Sequence, residues 1–247
     1  MRITLHEAES IVDTTHKVFG VHSIVTLFGS RVDDAAKGGD IDLYIETDNH
    51  ANLLEKKIHF LTLLEETFGE QKIDVVFKRE EMRIIDHEVA YKGIVLDIAT
   101  IKLEKYFKEC EKHIQRIDEA YGDMESIIPL SVEKYKDLTK DEVQDIDQFL
   151  FRFSKLQDTM GEKIFKLIFQ KYEGSSQVIP FIDMLNTLEK LGCITSAKEW
   201  MHLRKLRNEV AHQYDDEAEE MTQAINALLF QKEIIKTIFT KLKNCSK

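Results

Sequence analysis

Residues 23–46 read SIVTLFGSRVDDAAKGGDIDLYIE. Ser23–Phe28 is a short β-branched and aromatic run. Asp40–Glu46 alternates strictly, with Ile41, Leu43 and Ile45 on one face and Asp40, Asp42 and Tyr44 on the other. The stretch therefore reads as two strands joined by a Gly- and Asp-rich loop. Gly29 lets backbone come close to a phosphate, and Ser30 offers a hydroxyl and an amide beside it. Asp40 and Asp42 project to the same face and can share hard divalent cations. Further on, Lys72–Phe77 (KIDVVF) is a third strand candidate interrupted by Asp74. A charge in mid-strand is costly unless it is paired or ligates metal, so three such carboxylates on adjacent strands point to a two-metal centre. Taken singly, Asp-rich loops are most often turns and caps. The complete order of helix, strand, Gly-Ser, loop, Asp-x-Asp strand, helix and Asp strand sets this stretch apart.

Working outward, residues 5–18 and 53–68 carry helical spacing, a helix is expected near 80–91, and a short strand near 94–97 completes an α/β unit. After Thr100 the strand signal disappears. Residues 101–121 read as a connecting helix, and 122–140 contain Pro129 and several weak breaks. Over 141–172 the apolar residues Ile146, Leu150, Phe153, Leu156, Met160, Ile164 and Ile168 recur every three or four positions, which predicts one long amphipathic helix. Helices are expected near 180–191, 196–213 and 217–243, and their short connections imply an antiparallel bundle. The expected fold class is thus an α+β domain over 1–100, with a mixed sheet and flanking helices. A connecting helix over 101–121 and an all-α antiparallel helical bundle over 122–247 follow.

The chain has 247 residues and a net charge of −11, which argues against a constitutive coat for bulk nucleic acid or anionic membrane while leaving room for a locally basic site. Its opening, MRITLHEAES, has no apolar core of signal-peptide length, and no run approaches the roughly 18–20 residues that span a bilayer. A cytoplasmic protein without membrane partners is expected. Cys110, Cys193 and Cys245 are widely spaced, odd in number and form no C-x-x-C pair, so they read as reduced thiols with no zinc or disulfide framework.

A second motif, Arg207-Asn208-Glu209-Val210-Ala211-His212-Gln213-Tyr214, closes the helix that starts near Ser196. Asn208 and His212 share a face at i, i+4, whereas Arg207 and His212 lie about 140° apart at 100° per residue. Either the helix loosens near His212, or a two-fold mate supplies part of the site. The segment 198–212 is locally basic, with Lys198, Arg204, Lys205 and Arg207. On its own, such an Arg more often pairs within a bundle, and a His at a helix C-terminus favours the dipole.

With both motifs in view, residues 20–78 resemble the minimal nucleotidyltransferases (MNT) of the polymerase-β-like superfamily. Their signature is Gly-Ser, a spacer of about ten residues, then Asp-x-Asp; the spacer here, Arg31 to Gly39, is nine. The resemblance implies that Gly29, Ser30 and Arg31 bind the ATP triphosphate, that Asp40 and Asp42 bind Mg²⁺, and that Asp74 is the third carboxylate, near the incoming hydroxyl. R-x4-H-x-Y at the end of a helix in a following bundle resembles the HEPN family of dimeric, metal-independent ribonucleases. By that resemblance His212 moves the proton of an RNA 2′-hydroxyl, Arg207 stabilises phosphorane charge and Asn208 orients the site. In two-gene toxin–antitoxin pairs of this kind the MNT partner AMPylates the tyrosine that corresponds to Tyr214, and here the two are fused. The expectation is an Mg²⁺- and ATP-dependent adenylyltransferase that controls a ribonuclease, with a homodimer through the helical domain and RNA as its substrate. Two other classes compete: a small-molecule nucleotidyltransferase similar to aminoglycoside-modifying enzymes, and a module in which the helical half only dimerises or recruits a partner.

Overall fold

The computed structural model describes residues 1–174, 179–212 and 218–246. The chain divides into two compact units, Met1–Lys102 and Leu103–Lys247.

In the first unit, helix α1 (Leu5–Phe19) starts at a reciprocal cap. The Thr4 hydroxyl accepts from the Glu7 amide at 3.1 Å, and the Glu7 carboxylate accepts from the Thr4 amide at 2.6 Å. Strands β1 (Ile24–Phe28), β2 (Ile41–Glu46), β3 (Ile73–Phe77) and β4 (Ile94–Val95) form one mixed sheet in the order β3-β2-β1-β4. Strand β1 runs antiparallel to both neighbours, while β2 and β3 are parallel and joined through helix α2 (Leu53–Phe68). The alternation in β2 sorts its side chains as expected: Ile41, Leu43 and Ile45 are fully buried. They pack with Leu27 of β1, Ile11 and Phe19 of α1 and Phe60 and Leu64 of α2. The opposite face is covered more sparingly, by Phe28 and Tyr44 against Val89 of helix α3 (Ile84–Lys92). One face of the sheet is therefore a core, and the other keeps room for polar groups.

Helix α4 (Ile98–Asp123) crosses the boundary between the units, and its residues Leu103, Phe107, Cys110 and Ile117 belong to the core of the second. After it come α5 (Val132–Lys136), α6 (Lys140–Thr159), α7 (Phe165–Glu173), α8 (Phe181–Lys190), α9 (Ala197–His212), α10 (Ala218–Phe230) and α11 (Lys232–Cys245). Helix α9 packs against α6 and α10. The Asn226 amide of α10 grips the backbone of Leu130 at both ends, donating and accepting at 2.8 Å each.

Two helices expected to be continuous are interrupted. The stretch 141–172 is α6 and α7 joined by a π-helical turn at Met160–Ile164. Met160, Ile164, Phe165 and Ile168 remain fully buried across it, so the apolar periodicity gives no sign of the insertion. The stretch 217–243 breaks at Gln231, whose amide bonds to the Leu228 carbonyl at 3.0 Å, one residue short of an α-helical bond. Neither Gly nor Pro marks that junction.

The reading of three reduced thiols is overturned. Cys193, in the turn after α8, forms a disulfide with Cys245 at the end of α11, 52 residues away, with their Cα atoms 5.2 Å apart. The Tyr172 hydroxyl donates to the Cys245 carbonyl at 2.8 Å beside it. Pairing of this kind depends on where α9–α11 return the chain, which spacing alone does not encode. Cys110 is free and buried.

Phe60 is fully buried, and its ring centroid lies 5.4 Å from that of Phe19. Phe60→Ala is expected to destabilise the first unit by about 3–5 kcal/mol, measured by urea unfolding against the parent protein.

Candidate active site

The site grows from the sheet register. Phe28 at the end of β1 stands opposite Asp42, and Asp42 stands beside Asp74 of β3. Beyond Phe28 the chain turns through a short 3-10 segment, Gly29–Val32. Gly29 has a φ of 71°, and a Cβ built there would collide with the Asp42 carboxylate. Any side chain there would have to displace the Asp42 carboxylate and hold a left-handed backbone, which favours Gly at that position.

The loop from Ser30 to Asp40 is held by two arginines. Arg2 donates to the carbonyls of Ser30 at 2.8 Å, Asp33 at 3.0 Å and Gly38 at 3.0 Å. Arg31 donates to the carbonyls of Arg2 and Gly39 and to the Gln71 side chain, and its guanidinium lies 3.7 Å from Glu7. Arg31, expected beside a nucleotide, is placed as a staple of the loop. Gly38 lies so close to the Ser30 hydroxyl that a Cβ there would strike it.

Asp40, Asp42 and Asp74 are brought together as expected, and Lys72 joins them. Its ammonium lies 2.5 Å from Asp40 and 3.6 Å from Asp74. Those carboxylates hold the Lys72 ammonium above the ordinary lysine range, Asp40 first by hydrogen bond and charge, then Asp74. Asp42 lies deeper. Its carboxyl is pushed above the ordinary aspartate value by burial first, then by the charges of Asp74 and Asp40, with Lys72 opposing and Glu88 of α3 adding to the rise. Asp74, by contrast, is 59% exposed on an edge strand, so burial does not penalise its charge as the sequence suggested.

The same polar face continues into a second network. The Tyr44 hydroxyl donates to Asp86 at 2.5 Å, and Arg83 grips Asp86 through Nε at 3.1 Å and Nη2 at 3.2 Å. Burial and the Asp86 bond push the Tyr44 phenol up to about 12, while Arg83 and Tyr44 hold Asp86 well below the usual carboxylate range.

Among the described residues, no group of three or more His, Cys, Asp or Glu side chains is placed so that it could hold a metal ion. The donor set is nevertheless the right kind for a hard divalent cation. Three carboxylates stand on neighbouring strands, and Asp42 bears the repulsion of the other two without a salt-bridge partner of its own among the described contacts. The space that Gly29 leaves by lacking a side chain is taken by the Asp42 carboxylate, so backbone and carboxylate lie directly against each other.

Sequence reasoning missed Arg2, Lys72, Glu88 and the Tyr44–Asp86–Arg83 network. Lys72 was within reach: aligning Asp40-Ile41-Asp42 with Lys72-Ile73-Asp74 as parallel neighbours puts Lys72 beside Asp40 and Asp74 beside Asp42. Arg2 and Glu88 carried no signal.

In the helical unit Arg207 is turned inward. Its Nε donates to Gln157 at 3.1 Å and its Nη2 to Asp158 at 3.0 Å. Asn208 is exposed and lines a separate, shallow surface depression with Met201 and Lys205. Helix α9 therefore does not converge Arg207 and Asn208 on one point. His212 ends α9, but its side chain, like Tyr214 as a whole, lies outside the described residues.

Residues 9–101 match the family model described as "Polymerase beta, Nucleotidyltransferase". The match covers the first unit almost entirely, and that unit is a nucleotidyltransferase domain of the polymerase beta type. It ends at residue 101 and leaves the helical unit outside it. No curated protein and no solved structure matches the chain. No helix among the described residues is long and apolar enough to cross a membrane.

The raised Asp42 carboxyl has a stability consequence with a definite sign. Between 3.8, the ordinary aspartate value, and its higher folded value, the folded protein binds more protons than the unfolded chain. Stability therefore rises as pH falls through that window, and at neutral pH the Asp42 charge is a net cost. Asp42→Asn is expected to raise Tm at neutral pH in metal-free buffer, and the gain should shrink as pH falls toward 3.8. Thermal scans of both proteins across that range check it; a lower Tm for the variant at neutral pH would contradict this placement of the charge.

Proposed function

We propose that the chain is an Mg²⁺- and ATP-dependent adenylyltransferase whose acceptor is Tyr214, and that the modification controls a HEPN-type ribonuclease site carried by its helical half. The observation that carries the transferase reading is the juxtaposition of Gly29, just past β1, with Asp42 of β2 and Asp74 of β3. Backbone able to approach a polyphosphate lies directly against the carboxylate pair.

Asp40, Asp42 and Asp74 would hold Mg²⁺, which when bound neutralises polyphosphate charge and the charge that develops in the transition state. The chain's own residues do the rest. Gly29 and Ser30 present backbone amides and a hydroxyl to the triphosphate, in a loop kept in place by Arg2 and Arg31. Lys72 balances Asp40 and Asp74 in the free protein. Being 66% exposed, that ion pair is weak and yields readily to a stronger cation. The acceptor oxygen attacks the α-phosphorus, the bond to the bridging oxygen of pyrophosphate breaks, and pyrophosphate leaves with that electron pair. Asp74, exposed beside Asp42, takes the proton of the acceptor hydroxyl.

In the helical half the reading follows the R-x4-H-x-Y resemblance. Arg207 and His212 act on RNA across a two-fold pairing of helical domains, with Asn208 orienting the site. A phosphodiester on Tyr214 places negative charge where RNA phosphate binds and so opposes cleavage. Arg207 must then exchange Asp158 for phosphate when RNA enters.

Incubation of the purified protein with Mg²⁺ and ATP, followed by intact mass spectrometry and peptide mapping, tests the reading. Adducts of whole AMP units are expected on the Tyr214 peptide. In Asp42→Asn the rate of adduct formation should fall by about a hundredfold or more, the equivalent of several kcal/mol of lost charge stabilisation. A Tyr214→Phe protein that transfers AMP to an aminoglycoside at the parent rate would assign the acceptor to a small molecule instead.

A further inference from the structure

Within the helical unit, α4 carries a row of cations. Lys105, Lys108, Lys112 and Arg116 are all exposed, and at 100° per residue they fall within an arc of about 80°. Neighbours in the row are three or four residues apart, so they follow one another along the helix at about 5–6 Å. Helix α6 and the π-helical turn lie beside the row. Thr159 donates to Glu109 of α4 at 3.4 Å, and the Lys163 ammonium lies 3.7 Å from Glu109 and 4.9 Å from the Tyr106 ring centre. Arg152 and Lys155 of α6 come to the same seam. With burial as the first cause, Arg152, then Lys155 and Lys163, hold the His113 imidazole of α4 below the ordinary histidine range, while Glu109 opposes them. The exposed Phe151 ring steadies the two α6 cations, with the Arg152 guanidinium 5.4 Å and the Lys155 ammonium 5.6 Å from its centre.

Five of these cations, Lys105, Lys108, Lys112, Arg152 and Lys155, form no ion pair among the described residues. The carboxylates around them are engaged elsewhere: Glu109 by Thr159 and Lys163, Glu119 by Gln115 and Arg116, and Glu111 by Lys243. Glu104 lies about 140° round the helix from Glu109, on the flank turned away from α6. Acidic side chains outnumber basic ones 45 to 34 in the chain, yet none is spent on this seam's five free charges. Like charges held together without counter-charge repel, and an external polyanion removes that cost.

We infer that this seam binds a single nucleic-acid strand through its phosphates, with Lys105, Lys108 and Lys112 on one side and Arg152 and Lys155 on the other. A linear row of cations matches a linear chain of anions. A flat anionic membrane would bring the rest of a protein of net charge −11 close along with the row. A flexible strand can follow the row alone and keep most of the acidic surface beyond a Debye length, about 8 Å at physiological salt. The surface uses no residue of the R-x4-H-x-Y motif and depends on neither half of the proposed function.

Fluorescence anisotropy of the full-length protein with a fluorescein-labelled oligodeoxythymidylate tests it, since that strand lacks the 2′-hydroxyl a HEPN-type site would act on. Binding is expected, with log affinity falling against log salt at a slope of about −3.5, roughly 0.7 for each of the five free cations. Lys105→Gln, Lys108→Gln and Lys112→Gln together should weaken binding at least about tenfold at ~0.1 M salt and flatten the slope by about 2. Lys155→Gln alone should flatten it by about 0.7. Lys17→Gln, Arg79→Gln and Lys92→Gln together remove the same charge from exposed positions of the first unit and should leave affinity within about twofold. Absence of binding at low salt overturns the proposal. So does an equal loss in both triple variants, which would assign the attraction to net charge. Displacement of the strand by polyglutamate as effectively as by unlabelled strand, at equal charge, would assign the seam to an acidic protein instead. Tighter binding to phosphatidylserine vesicles than to the strand would assign it to a membrane.

Discussion

Carboxylates side by side repel one another, and the register of the first unit's sheet places three of them together. Asp42 and Asp74 are direct neighbours across β2 and β3, and Asp40 follows at the mouth of the same strands. Nothing local favours this. The register is fixed instead by the opposite face, where Ile41, Leu43 and Ile45 must all be buried against α1 and α2. A slip of one residue would expose that whole set, so burial on one side of β2 compels charge to gather on the other. The repulsion is distributed rather than removed. Lys72 offsets part of it, Asp74 and Asp40 stay in contact with water, and Asp42 bears the remainder.

A loop set against such a cluster needs holding from outside it. The segment from Ser30 to Asp40 has few apolar side chains to bury, and its backbone carbonyls are collected by guanidinium groups of Arg2 and Arg31 instead. Gln71, just before β3, adds its amide to the Gly39 carbonyl at 2.6 Å. Two separate parts of the sequence, around Arg2 and Gln71, thus meet on one stretch of backbone that Arg31 also braces from within. The Gly29 turn keeps its shape because both flanks are fixed, β1 by the sheet and the loop by these donors.

Much of this was legible in the sequence where a rule of period or spacing applied. Alternation in Asp40–Glu46 gave the buried and polar faces of β2, and Gly-Ser before Asp-x-Asp marked residues that the sheet register sets side by side. What stayed hidden was set by long-range geometry. Arg2 acts on residues about thirty positions away, and the Cys193–Cys245 pair spans 52. The π-helical turn at Met160–Ile164 escaped because it keeps every apolar residue buried, so the periodicity that should expose it is unchanged. The break at Gln231 was hidden similarly, since Leu228 and Ile235 stand seven residues apart and remain in phase. For Arg207 the sequence leaves both a partner within the bundle and, by resemblance, a phosphate open, and the partners it has, Gln157 and Asp158, arrive from another helix and leave no local signal.

The phenol of Tyr44 adds one more property to the carboxylate-bearing side of the sheet. It lies two residues beyond Asp42 on the same face, roughly 7 Å along the strand, and is 3% exposed. Within that short span the surroundings change from water around Asp74 to the packed side chains of Phe28, Tyr44 and Val89. Field lines from the carboxylates avoid a poorly polarisable medium and crowd toward the better one. The packed side therefore works as a reflector. It directs the negative potential of the cluster outward through the mouth of the site, so an approaching cation meets a beam rather than a diffuse cloud.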